Sequence, residues 1–221
     1  MEFKIENTQV YGLDKSIIAS GNAMRTEMDN NDVSIFKLSR HTDKLYVSDL
    51  LDVYEKHFKR ACNLGNTGSG EGHDNFLNGI IVQFDLYAPL YMWKQLQRYH
   101  FLDFISSQST MHRLTKFNVK ECCVDDVDKV IIDRYQQLLD MYNRSYNEMN
   151  NEEKTALWRT LVASLPSGFV LGATMTTNYR QLKTIYHQRK NHRLSEWHEF
   201  CKWVEELPYF KELCLGGNNN G

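Results

Sequence analysis

Apolar and polar residues alternate in two short segments near the N-terminus. Residues 2–5 (EFKI) and residues 33–38 (VSIFKL) place apolar side chains close to every second position. This alternation is typical of a strand that buries one face. Both segments are therefore predicted to be strands, and the polar residues 21–32 between them are predicted to form a loop.

A third strand is predicted over residues 79–88 (GIIVQFDLYA), which are rich in β-branched and aromatic side chains. The segment before it, residues 65–73, contains four glycines and ends on His73, so it is predicted to be a flexible loop. Residues 169–177 (FVLGATMTT) are predicted to be a short buried segment, either a strand or the start of a helix.

Several segments repeat apolar residues with the 3.6-residue period of an α-helix. These predicted helices cover residues 48–61, 89–100, 125–149, 151–165 and 179–193, with a last one containing Trp197, Phe200, Cys201, Val204 and Leu207. Ser48 and Asn178 are predicted to cap two of them. Pro89 suits the first turn of another, because its fixed φ is helical. The clearest stripe consists of Val127, Ile131, Tyr135, Leu138, Tyr142, Tyr146 and Met149.

This mixture of strands and helices indicates the α+β class. The chain has no internal repeat and no interior linker, so residues 1–215 are predicted to form a single domain, followed by a flexible tail at residues 216–221.

Composition narrows the function classes. The 221 residues are 42% hydrophobic, which is enough for a sizeable core, and the net charge of -2 disfavours a general nucleic-acid-binding protein. The five cysteines are odd in number and two are adjacent, which favours a reducing compartment over a disulfide framework. The chain has no signal peptide and no stretch long enough to span a membrane, so a soluble, cytoplasmic protein is predicted.

Two segments begin like known functional motifs but lack residues that those motifs require. His198-Glu199 begins like a zinc-protease helix, but Lys202 occupies the position of the second histidine, so no metal site is predicted. The glycine-rich loop lacks the Gly-Lys-Ser/Thr ending of a phosphate-binding loop.

Charge is unevenly distributed along the chain. Residues 175–195 contain no acid, and residues 86–120 contain only Asp103, whereas residues 121–153 contain nine acids and three bases. Arg189 falls on the apolar stripe formed by Leu182, Ile185 and Tyr186, where it needs an anion. That anion is either a carboxylate of the acidic helix or a ligand group such as phosphate. The hydroxyl-rich residues 101–113 are similarly either a simple turn or a phosphate-binding segment.

The spacing of these residues resembles the flavin-dependent thymidylate synthase family. His73 lies 25 residues before Arg98, with Ala88-Pro89 and Gln95 between them. Residues 178–182 (NYRQL) match the family's N-x-R-x-L motif, twelve residues after Pro166, and Arg189 follows Asn178 by eleven residues.

The family signature, R-H-R-x-x-S-x-N-x-x-S-x-R-Y, is altered in this sequence. It begins Arg98-Tyr99-His100, its first serine is replaced by Asp103, and one inserted residue aligns Ser109 with the second serine. Met111 stands at the next arginine position, with Arg113 nearby. Another expected arginine is Val162, and Arg159 lies about one helical turn away.

The resemblance implies a central, mostly antiparallel sheet flanked by long helices. It also implies a homotetramer that converts dUMP to dTMP with FAD, NADPH and methylenetetrahydrofolate, and without a cysteine nucleophile. Arg189 would be the catalytic residue and would also bind substrate. The residues implied to bind FAD are His73, Arg98, His100, Asn178, Thr184 and His192. Those implied to bind dUMP are Gln95, Gln108, Ser109, Arg113 and Arg159. Two alternatives remain: a flavin enzyme that modifies another pyrimidine nucleotide, and a non-catalytic nucleotide-binding relative.

Overall fold

The computed structural model describes residues 2–26, 47–68 and 71–217, and side chains from 54 onward in the second range. The elements in chain order are β1 (Lys4–Tyr11), α1 (Leu13–Ala19), α2 (Val47–Gly65), β2 (Ile81–Pro89), α3 (Leu90–Leu96), β3 (Asp103–Ser107), α4 (Thr110–Arg113), α5 (Val119–Cys122), α6 (Lys129–Ser145), α7 (Asn151–Ala163), β4 (Val170–Asn178), α8 (Tyr179–Arg189), α9 (Ser195–Glu205) and α10 (Phe210–Cys214). Short 3-10 helices lie at Asn22–Met24, Asn75–Gly79 and Leu114–Lys116.

The four strands form one antiparallel sheet in the order β1-β2-β4-β3. The Leu90 amide donates to the Phe169 carbonyl, and the Tyr179 amide donates to the Ile80 carbonyl, both at 3.0 Å. These two pairs define a single antiparallel register for β2 and β4. The predicted α+β class with a mostly antiparallel sheet is confirmed.

The chain divides into two compact units. The first contains residues 1–7 and 84–175, and the second contains residues 8–83 and 176–221. The boundaries between the units fall inside β1, β2 and β4. The prediction of a single domain over residues 1–215 stays a prediction.

The first unit has a core around α6 and α7. Its buried members are Leu114, Val119, Cys122, Cys123, Tyr135, Leu139, Leu161 and Phe169. The Tyr135 hydroxyl donates to the Leu161 carbonyl at 3.0 Å, which satisfies a polar group inside this core. Helix α7 begins with a capping box, in which the Asn150 and Glu153 side chains each accept a hydrogen bond from the other residue's backbone amide.

The second unit is built around α8 and α9. Leu182 and Ile185 of α8 and Trp197, Phe200 and Val204 of α9 are fully buried. The Tyr179 hydroxyl donates to the Pro208 carbonyl at 2.8 Å, and the Tyr179 ring meets the edge of Phe210. These contacts fix the beginning of α8.

Most predicted elements exist, with shifted boundaries. The first strand is longer than predicted, and α2 continues to Gly65. By contrast, α3, α6, α7 and α8 end earlier than predicted, at Leu96, Ser145, Ala163 and Arg189. Residues 169–177 belong largely to β4, which decides the alternative left open by the sequence. The predicted strand at residues 33–38 lies outside the described residues, as do the Ser48 side chain and residues 218–221 of the predicted tail.

Two sequence-based predictions about element type were wrong or incomplete. The hydroxyl-rich residues 101–113, interpreted from the sequence as either a turn or a phosphate-binding segment, contain β3, an edge strand with all five residues exposed. Helices α1 and α10 were not predicted, because each is too short to show a clear period.

The predicted stripe of the helix after Asp128 is confirmed at Tyr135, Leu138 and Tyr142, which belong to or pack against the core, but it was wrong at Ile131 and Tyr146. Ile131 is 51% exposed, whereas Leu139 is 2% exposed and lies in the core. This helix contains the adjacent apolar pair Ile131-Ile132, and Ile132 packs against the core in place of Ile131. Only packing against α7 and the residues before β4 distinguishes them.

Substitutions at a buried and at an exposed position of α6 test which face of this helix packs against the core. Leu139→Ala is expected to lower the free energy of unfolding by about 2–4 kcal/mol, because it leaves a cavity in the core. Ile131→Ala is expected to change it by less than about 0.5 kcal/mol, because the side chain is exposed. Urea denaturation followed by circular dichroism checks both, and a larger loss for Ile131→Ala would contradict the observed register.

Candidate functional site

A polar groove lies on the sheet of the first unit. It has a volume of about 220 Å³ and is lined by Asp85, Tyr87, Ser106, Ser107, Gln108, Gly172, Ala173 and Thr174. We call it the sheet groove. Alternating residues of β2 are buried, so Asp85 and Tyr87 lie together on its less buried face. The groove therefore combines one carboxylate, several hydroxyls and one carboxamide.

Asp85 is held by two donors in the sheet groove. The Thr174 hydroxyl donates to Oδ1 at 2.6 Å, and Nδ2 of Asn7 donates to Oδ2 at 2.7 Å. The hydrogen bonds from Asn7 and Thr174 lower the pKa of Asp85 below its ordinary value. At neutral pH the groove thus presents an oriented carboxylate.

Gln108 is fixed to β4 by two hydrogen bonds. Its backbone amide donates to the Gly172 carbonyl at 2.9 Å, and its side-chain Oε1 accepts from the Gly172 amide at 2.8 Å. The oxygen of the carboxamide therefore already accepts a hydrogen bond, whereas its NH₂ group has no acceptor among the described residues. A Cβ on Gly172 would lie 2.7 Å from the Tyr87 ring and 3.4 Å from Gln108 Oε1, which explains the glycine.

The remaining predicted dUMP residues of the first unit are more dispersed. Gln95 is half-buried on α3, and Arg159 is exposed on α7. Ser109 caps α4, where its hydroxyl accepts from the His112 amide at 3.2 Å, and Arg113 is exposed at the end of that helix. Only Gln108 among the five belongs to the lining of the sheet groove.

Arg98 and His100, predicted to bind FAD, also belong to the first unit. Both are exposed just after α3, on either side of the buried Tyr99. Exposed and buried side chains alternate in this triplet, so the aromatic Tyr99 contacts the core while Arg98 and His100 stay accessible.

In the second unit, Arg189 and His192 lie on the same tryptophan. The Arg189 guanidinium is 4.7 Å from the centre of the Trp197 ring, and the His192 ring meets Trp197 edge-on at 6.1 Å. Trp197 is fully buried and packs edge-to-face with Phe200. The half-buried arginine inferred from the sequence is thus stabilised by a cation–π contact with a rigid ring.

His192 is suited to remain neutral near pH 7. Burial, followed by the cations Arg189, His198 and Arg193, lowers its pKa. Its Nδ1 accepts from the Leu194 amide at 3.2 Å, which leaves Nε2 as the protonated nitrogen of the neutral ring. This side chain can therefore donate one neutral hydrogen bond beside Arg189.

Asn178 and Thr184 have local partners on α8. Asn178 is 8% exposed, and its Oδ1 accepts from the Gln181 amide at 2.9 Å, which confirms the predicted cap. Thr184 is exposed, and its hydroxyl donates to the Arg180 carbonyl at 3.2 Å. Whether either residue contacts FAD stays a prediction.

His73 is exposed beside a buried charge cluster that we call the Asp74 cluster. Oδ1 of Asp74 pairs with Arg180 Nε at 3.1 Å, and Oδ2 pairs with Lys183 Nζ at 3.3 Å. Asp74 and Lys183 are 7% and 9% exposed. The cluster attaches the residue after His73 to α8, the helix that also carries Thr184 and Arg189.

Sequence reasoning did not include Asp74, Lys183 or Trp197 among the site residues. Arg180 and Lys183 are three residues apart, so they share one face of a helix that has no acid of its own. That spacing was the available signal that a carboxylate must come from elsewhere. Trp197 was predicted only as a core residue, because nothing local links it to Arg189.

All five cysteines are buried, and none forms a disulfide bond. Burial raises the pKa of the Cys62, Cys123 and Cys201 thiols to about 11, and it also raises the pKa of Cys122 and Cys214. A thiol that stays protonated and inaccessible is a poor nucleophile. No helix in the described parts of the chain is long and apolar enough to cross a membrane.

Comparison with known proteins identifies the fold. No protein-family model and no curated protein sequence matches the chain. Solved structures do match it: a flavin-dependent thymidylate synthase from Helicobacter pylori in complex with FAD and dUMP has a TM-score of 0.62 at 14% identity, over 97% of this chain and 98% of that one. A second structure of the H. pylori enzyme with FAD and dUMP has a TM-score of 0.56 at 15% identity, over 96% and 97%.

A third similar structure is the UMP/dUMP methylase PolB from Streptomyces cacaoi bound to 5-Br dUMP. It has a TM-score of 0.57 at 13% identity, over 92% of this chain and 88% of that one. The chain therefore has the fold of flavin-dependent thymidylate synthases, which confirms at the level of fold the resemblance drawn from its sequence.

A methyl group on Gly172 is expected to disturb the sheet groove. Gly172→Ala places a Cβ against the Tyr87 ring and close to Gln108, so the free energy of unfolding should fall by about 1–3 kcal/mol. Thr176→Ala, at a half-buried position of the same strand, should cost less than about 1 kcal/mol. Urea denaturation measures both, and equal losses would contradict the close Gly172–Tyr87 contact.

Proposed function

We propose that the chain belongs to the flavin-dependent thymidylate synthase family and converts dUMP to dTMP. FAD would be the cofactor, methylenetetrahydrofolate would provide the carbon unit, and NADPH would provide the reducing electrons. The observation that carries this proposal is the shared fold over 97% of the chain with an enzyme whose structure contains FAD and dUMP.

The donor chemistry of the second unit fits FAD. Residues 175–195 carry five Lys and Arg side chains and no carboxylate, and the Arg189 guanidinium lies over an indole ring. A dinucleotide diphosphate needs cationic and neutral hydrogen-bond donors of this kind. We expect His73, Asn178, Thr184 and His192, together with the exposed Arg98 and His100, to hold FAD.

Arg189 is the proposed catalytic residue. When bound, a reduced flavin supplies hydride chemistry, so the protein's own task is to orient the pyrimidine and stabilise charge that develops on it. A guanidinium donates to a uracil carbonyl and stabilises the enolate that forms from it. The Trp197 ring limits the positions available to Arg189, which favours an orientation fixed before substrate arrives.

The nucleotide would be held by groups of the first unit. Gln108 offers an NH₂ donor whose carboxamide is oriented by Gly172, and Ser109 offers a hydroxyl at the start of α4. Gln95, Arg113 and Arg159 supply further donors for a phosphate or a carbonyl. Asp85 would be poorly placed beside a phosphate because both are anions, so we expect the phosphate to bind away from that carboxylate.

The burial of the cysteines is consistent with catalysis that uses no thiol nucleophile. All five thiols are buried and have raised pKa values, so none is prepared to attack the pyrimidine ring. A mechanism that depends on a flavin and an arginine needs no such group.

We further propose that the enzyme is a cytoplasmic homotetramer that binds neither nucleic acid nor membrane. In the family that the sequence resembles, the residues of one site come from several subunits. A monomer would then be inactive, and activity would rise steeply with protein concentration near the dissociation constant of the tetramer.

A second candidate function is methylation of a different pyrimidine nucleotide. The similarity to a UMP/dUMP methylase, at a TM-score of 0.57, favours this alternative over a non-catalytic role. Incubation with UMP and dUMP in parallel, followed by mass spectrometry of the nucleotides, separates the two candidates. A product from UMP alone would support the methylase, whereas binding of a nucleotide without any product would support a non-catalytic nucleotide-binding relative.

Substitution of Arg189 tests its proposed role. Arg189→Ala is expected to lower kcat for conversion of dUMP by about 100-fold or more, because it removes a charge-stabilising donor. Arg189→Lys should recover only part of the rate, because an ammonium cannot donate as a planar fork. Chromatographic measurement of dTMP checks the rates.

Lys190→Ala is the matched control for that experiment. Lys190 is adjacent, exposed and also cationic, but it lies 6.0 Å from the Tyr186 ring rather than on Trp197. Its rate should stay within about twofold of wild type. Equal rates for Arg189→Ala and Lys190→Ala would contradict a catalytic role for Arg189.

FAD binding is expected to stabilise the protein measurably. At a free concentration 100 times Kd, FAD should add about 2.7 kcal/mol to the free energy of unfolding and raise Tm by roughly 5–10 °C. Riboflavin, which lacks the phosphates, should stabilise it far less. Differential scanning calorimetry checks both, and equal shifts would show that the arginines do not bind the diphosphate.

A further inference from the structure

The Asp74 cluster joins three parts of the second unit that are distant in sequence. Lys183 Nζ donates to the Gly65 carbonyl at the end of α2, at 2.7 Å, and also pairs with Asp74 at 3.3 Å. Asp74 in turn pairs with Arg180 on the first turn of α8. A single buried ammonium therefore holds the end of α2 and the residue after His73 against α8.

Burial of these charges is not explained by stability alone. Moving a carboxylate and an ammonium out of water costs several kcal/mol for each ion, and well-packed apolar residues often stabilise as much or more. The net gain in stability from such a pair is therefore small or negative. What the pair does provide is a fixed geometry, because each ion has to remain beside its partner.

The ion pair with Asp74 restrains the Arg180 guanidinium, although Asp74 Oδ1 accepts no hydrogen bond from the described residues. Arg180 contacts Asp74 through Nε, and its side chain is 37% exposed. Its two terminal amino groups have no partner within the described ranges, so they remain available to an outside acceptor. The cluster contains two cations and one anion, which leaves one positive charge uncompensated.

We propose that Asp74 and Lys183 are positioning residues for FAD binding. Asp74 restrains the guanidinium of Arg180 through the ion pair at Nε, so that its terminal amino groups meet a phosphate oxygen, and it fixes the backbone next to His73. Lys183 is the buried counter-charge that keeps Asp74 in place. This inference rests on the function proposed above and adds two residues that act through Arg180 and His73.

The test compares FAD affinity in purified full-length variants, measured by titration of flavin fluorescence. Asp74→Asn keeps the shape of the side chain and removes its charge, and Kd for FAD should rise about tenfold, because Arg180 loses the ion pair that positions it against one phosphate oxygen. Glu71→Gln is the matched control: it removes an exposed carboxylate three residues away. Its Kd should stay within twofold of wild type.

Two further variants separate positioning from a loss of folding. Arg180→Lys keeps the charge but cannot present one edge to Asp74 and another to a phosphate, so Kd for FAD should rise at least fivefold. If Asp74→Asn does not fold, Arg180→Lys alone decides the question. In the Asp74→Asn/Arg180→Lys double variant the two effects should be less than additive, whereas a purely structural effect of Asp74 would add to that of Arg180.

The outcomes are distinguishable. Weaker FAD binding by Asp74→Asn and Arg180→Lys than by Glu71→Gln, with dUMP affinity unchanged, supports the inference. Wild-type affinity for FAD in Arg180→Lys, or equal affinities in Asp74→Asn and Glu71→Gln, overturns it and leaves the proposed function standing. Failure of the wild-type protein to bind FAD overturns the inference and the proposed function together.

Discussion

The antiparallel register of β2 and β4 determines where the chemistry of this protein lies. Because the pairing is antiparallel, Asp85 comes opposite Thr174, and Tyr87 comes opposite Gly172. The first pair creates an oriented carboxylate. The second makes room for an aromatic ring that would collide with any side chain larger than hydrogen. A shift of one residue would turn both pairs to the opposite face.

The same strand also sets the beginning of α8. At its last residue, Asn178, β4 turns directly into the helix, which Asn178 caps while the Tyr179 amide still bonds β2. Positions along α8 are then fixed: Arg180 and Lys183 face Asp74, and Arg189 reaches Trp197 of α9. The sheet register and the helix cap together therefore determine the positions in the structure of the residues whose spacing was noted in the sequence.

Local patterns predicted much of this architecture. Residues close together in the sequence were enough to predict the Asn178 cap, the buried face of α9 and the strand before Pro89. Prediction from the sequence failed where two positions were locally equivalent, as with Ile131 and Ile132 of α6, or where a strand lacks a buried face. In β3 all five residues are exposed, so no alternation marked it. The partnership of Asp74 with Lys183 depends on residues more than one hundred positions apart, which no local pattern contains.

We propose that this fold, with Arg189 on Trp197 and with all five thiols buried, activates a pyrimidine at C5. Release of tritium from dUMP labelled at C5 measures that step whatever group is later attached. With FAD, NADPH and methylenetetrahydrofolate present, the wild-type protein is expected to release tritium in proportion to enzyme and time, and to stop when FAD is omitted. No release above the background of an enzyme-free sample, from protein shown to bind FAD and dUMP, would contradict it.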